Sequence, residues 1–437
     1  MQVFIRSARV VDAASPADGQ VVDVLVENGL IRQLGENLSA PANASIIESE
    51  NLHVSPGWVD MRVLTQDPGY EHKEDIASVC RAAVAGGFTD IAVLPNTHPV
   101  VDDKGTLGYV RRMGEGQPVS VHVMAAVTKK AAGEDFTEML DLHHAGAVAF
   151  SDGTHPLQNP DLLLKTLQYL QPIGGLLINR SEEQLLTRFG QMHEGVQSTL
   201  LGLKGMPSLA EELMVERDLR LLAYTLEGAK TESPVSSSPV LHFSTISTAR
   251  SVELIRQAKA AGWPISCDVA AHQLVFSDSA LAEFDTNLKV NPPFRAPDDV
   301  DALWAGLADG TIDAIVSDHS PQDAESKNVE FDQAEFGIIG LETVFAAVLT
   351  QNQKRASGQL TLAQFLDKLT VRPRQILRLL PAQLAEGQPA SLTLFDPTRT
   401  WVYERTYSKS KNSPFLGQTF TGRVVGTVHR GQFNSAP

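Results

Sequence analysis

The sequence predicts an α/β protein: a closed (β/α)8 barrel that carries a small β-sandwich built from its two ends. Three observations predict it. From about residue 56 to 350, short apolar runs alternate with helical patterns, and strand-then-helix units at that spacing form a parallel sheet. There are roughly eight such units, the count that closes a barrel. The two ends read as strands separated by turns with no helix between them, and chain ends tend to lie near each other. The expected organisation is therefore residues 1–55 and 386–437 in the sandwich, with 56–385 as the barrel.

The elements follow in order. Val3–Val10, Val21–Glu27 and Ile31–Leu34 read as strands of the amino-terminal part. Val59–Leu64 is the first barrel strand, and a helix over Asp75–Ala85 is stopped by Gly86-Gly87. A strand at Asp90–Leu94, a helix near Leu107–Met113 and a strand at Ser120–Val127 come next. The helix Phe136–His144 leads into the strand Ala147–Ser151, and the helix Leu162–Leu170 into Leu176–Asn179. Later strands are expected at Val240–Ser244, Ile265–Val269 and Ala314–Ser317, with helices at Ala249–Ala261, Val300–Leu307 and Leu341–Leu349. The tail contributes Ser391–Phe395 and Phe420–Arg430. Residues 228–239, rich in Ser and Pro, read as a mobile surface loop, and Ser408–Pro414 as a second polar break.

Composition narrows the class of partner. Lys and Arg number 36 against 52 Asp and Glu, a net charge of -16, which argues against nucleic acid or an anionic membrane as the main partner. No uninterrupted apolar stretch reaches membrane-spanning length, and no basic region followed by a long apolar run precedes the first strand. The two cysteines, Cys80 and Cys267, sit far apart in core-like patterns. They suggest a reducing compartment and no disulfide framework. A cytoplasmic protein is expected.

Function is legible in a set of motifs. The first strand runs Pro56-Gly57-Trp58-Val59-Asp60-Met61 into Arg62-Val63-Leu64. Further along stand Leu94-Pro95-Asn96-Thr97, Ala149-Phe150-Ser151-Asp152-Gly153, Gly195–Gly202 with Gly205–Glu216, Ser247–Ala260, Asp285–Arg295, Ala308–Ser320 and Phe336–Thr343. Taken together and in this order, they resemble the dihydroorotases of the amidohydrolase superfamily over nearly the whole chain. The resemblance implies an amidohydrolase-type barrel and a metal-dependent cyclic-amide hydrolase. In such an enzyme a divalent metal polarises the amide carbonyl and lowers the pKa of bound water to about 7, while an aspartate handles the proton.

The resemblance also implies six metal-ligand positions. Here they are Arg62, Leu64, Asp152, Arg180, Thr245 and Asp318. Four of these are histidines in the family. A guanidinium is a cation without a lone pair to give, and an isobutyl group has no donor atom. Two carboxylates alone make a poor zinc site. The arginine that the family uses to grip a substrate carboxylate is Gln66 here, which removes a bidentate cationic fork. A family histidine after the last motif strand is Gln322. Asn96, His272, Asn291 and Arg295 remain as a remnant substrate pocket, although for His272 a plain structural role is equally open.

Asp152 and Asp318 read as framework carboxylates held by arginine or backbone donors, with a surviving metal site as the sharper alternative. His242 is expected in the core, His319 to orient its loop, and His143-His144 on a helix surface. With metal gone, Arg62 and Arg180 are expected to pair with Asp152 and Asp318 and plug the mouth. The expected function is that of a catalytically inactive dihydroorotase-like subunit of pyrimidine biosynthesis, without a cofactor. Among relatives of this kind the resemblance points to aspartate carbamoyltransferase as partner, with a homo-oligomer also expected. Two alternatives stand beside it. One is an active dihydroorotase with an atypical metal site built on Asp152, Asp318 and their neighbours; the other is a sensor that binds a pyrimidine precursor through Asn96, Asn291 and Arg295.

Overall fold

The computed structural model describes residues 2–436 except 230–237 and 357. Its centre is a ring of parallel staves. Trp58–Val63 pairs with Phe88–Val93, which pairs with Ser120–Val123. Single bridges from Ala125 to Phe150 and from Phe150 to Leu177 carry the ring onward. Leu177–Arg180, Leu241–Ser244, Ile265–Ala270 and Ala314–Val316 follow, each beside the next. A bridge between Val63 and His319 closes it. The fourth stave was expected as a strand over Ala147–Ser151. It pairs only through Phe150, because the chain turns into the loop carrying Asp152 before a ladder can extend.

Alternating side chains explain the layers. Val59, Met61, Ala92, Met124, Ile178, Ala314 and Val316 fill the interior of the ring. Ile91, Val93, Phe243, Cys267 and Ile315 face outward into the layer under the helices. The first helix, Ile76–Gly86, starts at a capping box. The Asp75 carboxylate accepts from the Ser78 N–H at 2.7 Å, and the Ser78 hydroxyl accepts from the Asp75 N–H at 3.1 Å. It ends at Gly87, whose φ of 89° suits glycine alone, and any Cβ there would also press on Trp58.

The longest helix, Leu209–Ala229, was not expected from its sequence pattern. It belongs to an excursion of about sixty residues between the staves at 177–180 and 241–244. Helical apolar spacing is weak over this span, because buried Glu211 and Asp218 interrupt the stripe. Of the loop expected at 228–239, residues 228 and 229 end this helix and 230–237 lie outside the described residues.

The two ends combine as expected. Gln2–Val10, Val21–Glu27, Leu30–Gly35, Ser45–Ile47 and His53–Pro56 join Leu392–Val402, Thr419–His429 and Gln432–Ser435 in one hydrogen-bonded eight-stranded sheet. The junction is antiparallel, with Leu394 opposite Val54. This sheet has its own apolar core, including Val3, Ile5, Val24, Val54, Leu392 and Val428. Trp58 ties it to the barrel, with ring centroids 4.8 Å from Phe345 and 5.6 Å from Phe395. No helix among the described residues is long and apolar enough to cross a membrane.

Candidate functional site at the barrel mouth

The carboxyl ends of the staves surround a cavity of about 620 Å3. Of the residues singled out in the sequence, Arg62, Leu64, Gln66, Asn96, Arg180, Asn291, Asp318 and Gln322 line it. Asp152, Thr245, His272 and Arg295 do not. Catalytic groups on this fold sit at this face, so the cavity marks where chemistry belongs. Three turns around it keep non-glycine residues in the left-handed region: Gln66 at φ 59°, Thr245 at 53° and Asp318 at 49°. For the β-branched Thr245 this is a costly conformation, and such strain collects at functional sites. The backbone of an active site is present under side chains of different chemistry.

The centre of the mouth is an ion pair. Arg62 Nε donates to Asp318 Oδ1 at 2.7 Å, and Arg62 Nη1 donates to Ser244 Oγ at 3.3 Å. The two side chains are 3% and 15% exposed. The backbone that aims Arg62 is fixed by Asp60, which accepts from the Arg62 N–H and the Ser317 N–H, both at 2.9 Å. Asp60 is fully enclosed, and burial pushes its carboxyl up to about 7.

Arg180 corrects the expected pattern. It is buried at the mouth but pairs with Glu182, at 2.8 Å, and not with either aspartate. Its Nη1 also donates to the Thr154 carbonyl at 3.1 Å. Burial lowers its pKa below the usual arginine value. Asp152 turns away from both arginines. It accepts from the Thr128 N–H at 2.9 Å and from the Thr128 hydroxyl, and burial raises its pKa. The sequence reasoning missed Glu182, although an Arg-Ser-Glu run at a stave end was a signal for a local pair. It also missed Lys73, which lines the cavity and donates from Nζ to Gln322 Oε1 at 2.7 Å.

Most of the other positions are satisfied internally. The Thr245 hydroxyl donates to the Ser244 carbonyl at 2.8 Å, and its N–H donates to Asp268. His242 is fully buried between Ser266 Oγ at 2.7 Å and Asp268 Oδ2 at 2.8 Å. Gln66 Nε2 donates to the Pro321 carbonyl at 3.2 Å, and Asn291 Nδ2 to Glu182 Oε2 at 3.1 Å. Asn96 bridges the Asp152 carbonyl and the Thr154 N–H, both at 3.0 Å. Leu64 joins the apolar interior. His272 is buried edge-on to Phe294 with both ring nitrogens unpartnered, and burial pulls its pKa down to about 4. Arg295 is a structural hub, donating to Ser247 Oγ at 2.9 Å and the Met206 carbonyl at 3.0 Å.

These residues do not fit a zinc ion. Of the six family ligand positions, Arg62, Leu64, Arg180 and Thr245 offer no imidazole, while Asp318 and Asp152 are committed to Arg62 and Thr128. Among the described residues, no group of three or more His, Cys, Asp or Glu side chains has the spacing to hold a metal.

The tail braces this mouth. Ser408–Pro414, the second polar break, is packed in, with Ser408, Ser410, Asn412 and Ser413 buried. Asn412 donates to the Ser320 and Gly337 carbonyls at 3.0 and 3.1 Å and accepts from the Gln322 N–H at 3.1 Å. Ser408 donates its hydroxyl to Glu74. Glu74 Oε2 also lies 3.4 Å from His319 Nε2, while His319 Nδ1 accepts from the Gly340 N–H at 3.3 Å. Glu342 Oε1 accepts from the Tyr407 and Ser408 N–H groups at 2.9 and 3.0 Å. Burial pushes the Glu342 carboxyl up to about 7, and neighbouring Glu74 adds to the rise. A carboxyl raised on folding favours the folded state below its unfolded pKa, near 4.5, and loses that contribution as pH rises through 7. Glu342→Gln keeps the accepting oxygen and removes the charge. It is expected to stabilise the protein above pH 7, by up to about 3 kcal/mol, with no gain at pH 5. Urea denaturation at both pH values checks this.

Residues 52–228 match the dihydro-orotase-like family, and residues 236–433 the amidohydrolase family. Solved structures share the fold. An L-hydantoinase (dihydropyrimidinase) from Arthrobacter aurescens superposes with a TM-score of 0.83 at 22% identity, covering 99% of this chain and 96% of that one. A dihydropyrimidinase from Brevibacillus agri gives 0.82 at 21%, covering 99% and 95%. Fold and mouth thus define an amidohydrolase-type barrel. Curated relatives narrow the class. A protein of Geotalea daltonii named dihydroorotase is 42% identical over 435 residues, 99% of both chains. One of Pelobacter propionicus with the same name is 41% identical over the same share. The chain belongs to the dihydroorotase-like family of the amidohydrolase superfamily.

Proposed function

We propose that this chain is a non-catalytic member of its family, kept in pyrimidine biosynthesis as a structural or regulatory subunit of aspartate carbamoyltransferase. The observation that carries the reading is the Arg62–Asp318 pair. It places a guanidinium on the one carboxylate that would handle the proton, at a position where the family resemblance calls for a metal ligand. The Oδ1 of Asp318 is already taken by the Arg62 Nε–H, so it is not free to accept a proton from substrate or water. A hydrolytic step also needs something to activate water, and the four replaced positions supply no such group. Gln66, Lys73, Asn96 and Asn291 at the mouth are each bonded to other groups of the chain.

The partner rests on the resemblance and on what a retained but self-satisfied fold is useful for. Mixing the purified chain with aspartate carbamoyltransferase from the same organism is expected to give a co-eluting complex in size-exclusion chromatography. Two separate peaks at micromolar concentration would count against the subunit role. The names of the relatives favour a second reading, an active dihydroorotase with an atypical zinc site. Turnover of dihydroorotate separates the two.

A further inference from the structure

The excursion between the staves at 177–180 and 241–244 carries an apolar surface that the fold does not use. Of the eighteen large apolar side chains left exposed among the described residues, eight lie between Leu185 and Tyr224. So many within one short stretch make a patch rather than scatter, and exposed apolar patches mark contact surfaces. The backbone of this surface is an outer helix. Leu209–Ala229 turns Val215, Leu219 and Leu222 inward and packs against the helices Pro160–Leu170 and Ala249–Ala260.

The outward side of that helix is ordered along its length. Leu209, Leu213, Glu216, Arg220 and Tyr224 follow one another at helical spacing, so they share one face. The three apolar members are 51%, 44% and 63% exposed, where an outer helix ordinarily shows polar residues to water. Between them Glu216 and Arg220 form an exposed ion pair at 2.6 Å. The stripe therefore runs apolar, acidic, basic, apolar. Turned end for end, the pattern matches itself: an antiparallel copy sets acid against base and the leucine end against the tyrosine end. A two-fold interface requires such a pattern, because each of its contacts occurs twice. The leucine end is broadened by exposed Leu185 and Leu186 on the short helix Gln184–Thr187. The Glu183 N–H joins that helix to the stripe by donating to the Ala210 carbonyl at 2.9 Å.

We propose that this face is the contact between two copies of this chain, paired about a two-fold axis with their 209–229 helices antiparallel. Glu216 of each copy meets the partner's Arg220, and Leu209 and Leu213 pack on the partner's Tyr224. The axis falls near residue 218, midway between the two charges. Four charges of alternating sign then surround it, which offsets locally the repulsion between two chains of net charge -16. A stable interface takes roughly 800 Å2 per partner, more than one helix stripe supplies. Because the helices run antiparallel, Leu185 and Leu186 of the two copies widen the apolar contact at both of its ends.

Light scattering from the full chain as it elutes from a sizing column at micromolar concentration, with sedimentation to give the Kd of association, tests this. The mass expected is at least that of two chains. Arg220→Glu, Glu216→Arg and Leu213→Glu each alter an exposed side chain. Each is expected to weaken association roughly tenfold or more, since like charges or a desolvated charge then face the partner. Combining Glu216→Arg with Arg220→Glu restores opposite signs across the axis and is expected to return Kd to within about threefold of the wild type. Lys354→Glu, an equal change of charge on a different exposed helix end, is expected to leave it unchanged. Thermal unfolding of every variant shows that it is folded. A monomeric wild type, whatever else the chain binds, would overturn the proposal. So would an assembly that Arg220→Glu and Leu213→Glu leave intact, or single and combined charge variants that weaken it alike.

Discussion

Arg62→Ala is expected to destabilise the protein by about 3–5 kcal/mol, the usual consequence of stranding one member of a buried ion pair. Asp318 would keep its place at 15% exposure with the guanidinium bonded to it removed. It could not relax easily, because its backbone sits in a left-handed turn with φ 49°. Replacing both members, Arg62→Met with Asp318→Leu, is expected to recover most of the loss, since a buried pair exchanged for apolar groups is often near neutral. Urea denaturation of the wild type, Arg62→Met, Asp318→Leu and the double variant closes the cycle. A coupling energy near zero would mean that the pair contributes nothing to the fold.

The second large effect is expected at Glu211. Its carboxylate accepts from the Ser247 N–H at 2.9 Å, from the Thr248 N–H at 3.0 Å and from both hydroxyls of that pair. It also faces Arg295 at 3.8 Å, and both side chains are less than 5% exposed. Those contacts bolt the long helix at 209–229 to the loop that carries Thr245. Glu211→Ala leaves a buried arginine uncompensated and two N–H groups unpaired, so a loss of about 3–5 kcal/mol is expected. Glu211→Gln, which keeps one acceptor, is expected to lose less. The midpoint of chemical denaturation reads both. A loss below about 1 kcal/mol for Glu211→Ala, a typical single hydrogen bond, would contradict the bolt.

Much of this molecule was legible in its sequence, for reasons that differ by level. The barrel and the terminal sheet follow from period and turn chemistry: Asp75 before an apolar helical run, Gly86-Gly87 after it, and short β-rich runs at both ends. The residues of the mouth were legible because arginine or leucine, at positions where the resemblance implies histidine, changes residue type outright, as at Arg62 and Leu64. What the sequence left hidden was partner choice. Arg180 had two aspartates available in principle, and Glu182, two residues away and held at 3.1 Å by Asn291, took it instead. Asp152 found a backbone donor at Thr128, which no side-chain pattern announces. The tail from Ser408 to Ser413 reads as a polar linker because its burial is reached through hydrogen bonds to loops more than sixty residues away. Periodicity carries no trace of contacts of that kind. The long helix at 209–229 was obscured by the same thing, since buried Glu211 and Asp218 look like a solvated face until their partners are known.

In the reading proposed above, Arg62 and its neighbours stand at this mouth where the family resemblance calls for metal ligands. The measurement that meets it most directly is zinc content of the purified chain, prepared without chelator, beside a dihydroorotate hydrolysis assay with added zinc. Zinc is expected far below stoichiometric, with no turnover above the uncatalysed rate. Stoichiometric zinc, with turnover abolished by Asp318→Asn, would contradict it.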